Sequence, residues 1–73
     1  MTADEMKAEL YERARIYMAE AHPNYDAVTI AGHAQHGVDA MLNARITAGE
    51  DELAALEYAI GRDIKKLITV VIT

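Results

Sequence analysis

The chain is 73 residues long, carries a formal net charge of −5, and contains 14 alanines. A length near this buries only about 60% of the unfolded surface, which allows one domain and excludes a nucleotide-binding unit joined to a substrate domain. A hydrophobic fraction of 52% argues against disorder, and a sequence without Cys or Ser rules out disulfides, thiolate metal sites and thiol or serine nucleophiles.

The first predicted helix runs from about 2 to 21. Thr2 and Glu5 have the spacing of a capping box, and Asp4 and Glu5 suit the positive end of a helix dipole. Ala3, Met6, Leu10, Ala14, Tyr17 and Ala21 share a face roughly 80° wide at 100° per residue, with Met18 beside it and Ile16 on the opposite side. Glu9–Arg13 and Glu12–Arg15 have ion-pair spacing on the outer face. Pro23 biases His22 away from helical geometry and ends the element.

A second helix is expected over about 25–48, capped by Asn24 or Asp26 at its start and closed by Gly49. Val28, Ala31, Val38, Leu42 and Ile46, flanked by Ile30, Ala34 and Met41, define its apolar side. Gly32 and Gly37 each weaken a helix interior by about 0.8–1 kcal/mol relative to alanine, so either a kink or a continuous helix fits there. The third helix is expected over about 50–68. Leu53, Leu56, Ile60, Ile64, Leu67 and Val71 recur in alternating steps of three and four, the pattern of a coiled-coil seam. The β-branched tail, 69–73, is compatible with helix, strand or fraying.

The fold class is therefore all-α: a small antiparallel bundle of two to three helices, dimerising through its C-terminal helix. Small size and high alanine content make a lone subunit marginal, and burying the seam against a second copy would relieve that.

Chemistry-bearing groups are sparse. His33, His36 and Asp39 fall at i, i+3 and i+6 on the polar side of the second helix, near Asn43. Two imidazoles and a carboxylate leave a metal shell incomplete, so no metal is assigned and a solvated polar stripe explains them more simply. The carboxylate pairs lie at helix starts or on a charged outer face rather than in a cleft, and no threonine has a base at a telling spacing. No catalytic residue and no cofactor is assigned, and the chain is read as not an enzyme. Lys65–Lys66 is the sole adjacent basic pair, which argues against direct nucleic-acid binding. No stretch approaches the 18 apolar residues of a membrane span, and the acidic start Asp4–Glu5 is unlike a basic secretory leader, so cytoplasmic residence is expected.

The function expected from these features is a small acidic regulator that docks on a larger host or cognate protein and inhibits it, of the kind found in phages and mobile elements. Tyr11, Ile16, His33, His36, Asp39, Asn43 and Tyr58 are the candidate partner-facing residues, since tyrosine is enriched at interfaces. A self-assembling structural subunit is the alternative; a nucleic-acid mimic or a metal-responsive protein using His33 and His36 carries less weight.

Overall fold

The computed structural model describes residues 1–72, with side chains through Ile68. Four helices follow in order: α1, Ala3–Ala21; α2, Ala27–Thr47; α3, Glu52–Ile60; and α4, Ile64–Ile72. No strand occurs among the described residues. The all-α expectation holds at that level; the helix count of two to three does not.

The start signals act as their chemistry dictates. The Thr2 hydroxyl accepts the Glu5 N–H at 3.2 Å while the Glu5 carboxylate accepts the Thr2 N–H at 2.9 Å, closing the capping box. Of the two candidate caps for α2, Asp26 is used: its carboxylate accepts the Thr29 N–H at 2.7 Å. Asp51 does the same for α3 through the Ala54 N–H at 2.7 Å. Gly49 ends α2 at φ 111°, and its N–H reaches the Ile46 carbonyl while the Glu50 N–H reaches that of Arg45. That pair of bonds is a Schellman closure, and it requires the left-handed backbone that glycine adopts without a Cβ clash.

The third predicted helix is two helices. Gly61 ends α3, the Arg62 N–H bonds the Ala59 carbonyl, and the Asp63 carboxylate accepts the Lys65 N–H at 3.1 Å to open α4. Gly61, a poor helix former, and Asp63, whose carboxylate caps the next helix, supply a stop and a new start that outweigh the periodicity running through them. The predicted seam is split accordingly. Leu56 is fully buried within the chain's own core, Leu53 is 50% exposed, and Ile60, Ile64 and Leu67 are half-buried against the core. Val71 lies outside the described side chains.

α2, by contrast, runs unbroken through Gly32 and Gly37. Its buried face is Ile30, Ala34, Gly37, Val38, Met41 and Leu42, rotated from the expected one: Val28 is 83% exposed, and Ala31 and Ile46 also face outward. Ala34 and Gly37 are buried there although small side chains add little to a pattern weighted toward large ones. The core joins this face to Met6, Leu10, Ala14 and Met18 of α1, Ala55, Leu56 and Ala59 of α3, and Ile68 of α4. Among the described residues no polar or charged side chain is buried. α1 packs against the other three helices and α2 against α4 and α3, so α3 and α4 are held on the α1–α2 pair.

Candidate interaction surface

The sequence offers Tyr11 and Asp39 to a partner, and the structure joins them to each other. The Tyr11 hydroxyl donates to the Asp39 carboxylate across the α1–α2 boundary, 28 positions apart in the chain. Burial, then the hydrogen bond and the negative charge of Asp39, push the Tyr11 phenol up to about 12. Both side chains are half-buried, and the pair clamps two helices together.

Taking Asp39 into that bond separates it from the imidazoles with which its spacing grouped it. His33, His36 and Asn43 remain exposed along α2. Among the described residues no three His, Asp or Glu side chains come together as a group able to hold a metal ion. His33 instead joins an aromatic stack. The Tyr25 ring lies 4.5 Å from His22 with the planes 6° apart, and 5.7 Å from His33 at 30°. The turn at Pro23 makes this possible by folding back, with the Tyr25 N–H bonding the His22 carbonyl at 3.1 Å. Tyr25 stays 42% exposed at this corner, with Val28 two positions into α2.

Ile16 is exposed, as its place opposite the apolar face predicts, and 46% of its surface meets solvent. It borders a groove of about 360 Å³ between α1 and the start of α4, floored by Tyr17 and Ile64 and rimmed by Arg13, Glu20, Asp63 and Lys65. A second hollow of about 300 Å³ beside α2 is lined by Lys7, Asp39, Leu42, Asn43, Ile46 and Glu52.

Tyr58 lies at the far corner, 36% exposed, with the Arg45 guanidinium 3.5 Å from its ring centre and that of Arg62 at 4.6 Å. Stacking of this kind is an attraction between cation and ring quadrupole. Arg45 also sits 2.8 Å from the Glu50 carboxylate, close in charge but not aligned as a hydrogen bond. Arg62 lies four positions after Tyr58, a spacing visible in sequence. Arg45 comes from another helix, and nothing local announces it.

The remaining charges are mostly structural. Arg13 pairs with Glu9 at 3.0 Å and donates to the Ile60 carbonyl at 2.8 Å, so α1 closes the C-terminal end of α3. Lys7 reaches Glu52 at 3.2 Å, and Arg15 pairs with Glu12. Three carboxyls lie below their ordinary range: Glu5 through the Thr2 backbone N–H, Glu12 through the Arg15 guanidinium, and Asp26 through the Thr29 backbone N–H. Among the described residues no helix is long and apolar enough to cross a membrane. Comparison with known protein families, characterised proteins and solved structures finds no match.

Proposed function

We propose that this chain is a non-enzymatic helical module that docks on a larger protein and inhibits it, in the manner of small phage and mobile-element products. The observation that carries the reading is the state of two exposed tyrosines. Tyr25 is stacked on His22 and near His33, and Tyr58 carries the guanidiniums of Arg45 and Arg62, yet both rings remain 36–42% exposed. An exposed ring already fixed by stacking loses little further freedom on binding, and Tyr and Arg are the residues that dominate interface energies. Cytoplasmic residence without cofactor, metal or nucleic acid goes with this reading.

Immobilised chain, presented to a lysate of the cells that express it, is expected to retain one foreign protein. The Tyr25→Ala/Tyr58→Ala variant should lose it, and added chain should lower that protein's activity. Recovery of nothing but further copies of the chain would replace the regulator with an assembly subunit. That second reading has one observation in its favour, the 50% exposure of Leu53 at the start of α3, where a homodimer contact would cover it.

A further inference from the structure

We infer that the corner between α3 and α4 recognises a short acidic segment of a partner protein, with the Arg62 guanidinium, held on the Tyr58 ring, receiving a carboxylate. The inference rests on the docking reading above and gives its chemistry at one of the two tyrosines. The distribution of positive charge supports it. Of the seven basic side chains, Lys7, Arg13, Arg15 and Arg45 are engaged by carboxylates. Arg62, Lys65 and Lys66 have no ion-pair partner among the described residues, and all three are exposed within five consecutive positions. A chain of net charge −5 thus gathers its uncommitted cations at one corner.

The stack then fixes what kind of anion fits. Held 4.6 Å above the ring centre by its central carbon, the Arg62 guanidinium keeps N–H groups for a carboxylate, which a guanidinium meets in two parallel hydrogen bonds. Tyr58 therefore positions Arg62 before any partner arrives, which lowers the ordering cost of binding. Arg45 on the same ring is ion-paired with Glu50, so the cation without a counter-charge is Arg62, with Lys65 and Lys66 following as point charges. Three cations suit a short run of carboxylates. A nucleic-acid strand would have to track many phosphates over a surface rich in Asp and Glu, Asp63 within this corner among them.

Nitrogen–proton correlation spectra of the full chain, titrated at low ionic strength with end-blocked triglutamate to millimolar concentration, test this. Saturable shifts are expected at Tyr58, Arg62, Lys65 and Lys66, including the Arg62 side-chain N–H. Arg62→Ala should weaken the titration about fivefold, the scale of one exposed charge contact. Arg62→Lys, which keeps the charge and loses the planar fork, should fall between. Because Arg62 is exposed, both variants are expected to keep the native spectrum. The inference is overturned by an absence of shifts, by shifts centred on Arg13 and Arg15, or by Arg62 variants that titrate like the parent. Tighter binding of a short oligothymidine at the same residues overturns it too, since the corner would then be a phosphate surface. The two readings fail separately. Triglutamate bound at the corner with no protein retained from lysate removes the regulator, whereas a retained partner indifferent to Arg62→Ala removes the corner.

Discussion

Gly32 and Gly49 show how the same residue type takes opposite roles in one helix. Gly32 lies on the exposed face of α2 in ordinary helical geometry, and a Cβ added there would meet nothing within 4 Å. Gly32→Ala is therefore expected to stabilise the chain by up to about 1 kcal/mol in chemical denaturation. Gly49, at φ 111°, also has open space, but an L side chain strains that backbone, and Gly49→Ala should cost about 1–2 kcal/mol. The Tyr11–Asp39 bond makes a third residue-scale expectation. The native phenol is pushed up to about 12 from its ordinary 10, so the folded state holds this proton more tightly than the unfolded one. Its contribution is complete below pH 10 and drains away as pH rises toward 12. Tyr11→Phe should lose about 1 kcal/mol at neutral pH and show a flatter stability profile across that alkaline window. Capping residues such as Thr2, Glu5 and Asp26 were legible in the sequence because each acts within three positions. The Tyr11–Asp39 pair was not, because it spans 28.

At the scale of whole elements, the hydrophobic pattern gives the right class, but in α2 and at the start of α3 it places large side chains inward that lie outside. In α2 the buried centre is held by Ala34 and Gly37, and in α3 by Ala55 and Ala59, while the larger Val28, Ile46 and Leu53 lie outside. Periodicity weighted toward large side chains follows the rim of such a face, because alanine counts for little in it although close backbone approach depends on it. The same weighting carried a continuous stripe across Gly61–Arg62–Asp63, where local capping chemistry breaks the helix. In α1 the pattern and the buried face coincide, since Met6, Leu10, Ala14 and Met18 place large and small residues on one line. If close packing at alanine holds α3, enlarging one of them must do harm. Ala59→Leu is expected to destabilise by about 1–3 kcal/mol through overpacking, even though leucine is nearly as good a helix former. An unchanged denaturation midpoint would mean that the face has room to spare.

A whole chain of this size has little stability in reserve, on the order of 5 kcal/mol, and among the described residues the largest fully buried side chains are Leu10, Leu56, Ile68 and Val38. Leu56 and Leu53 then separate two accounts of how the molecule holds together. In a coiled-coil seam they are equivalent positions on one stripe. In the folded chain Leu56 is fully buried and Leu53 is half-exposed. Leu56→Ala should cost about 2–5 kcal/mol, enough to unfold much of the population at ambient temperature, visible as lost helical circular dichroism. Leu53→Asp should leave the helical signal intact and the stability within about 0.5 kcal/mol, as for a surface position. Sedimentation at micromolar concentration supplies the second half of the comparison. A parent of dimeric mass that Leu53→Asp converts to a folded monomer would place the self-contact at the start of α3. A parent of monomeric mass removes self-association, and the four-helix core, closed on Leu56 by the chain's own helices, then accounts for the fold by itself.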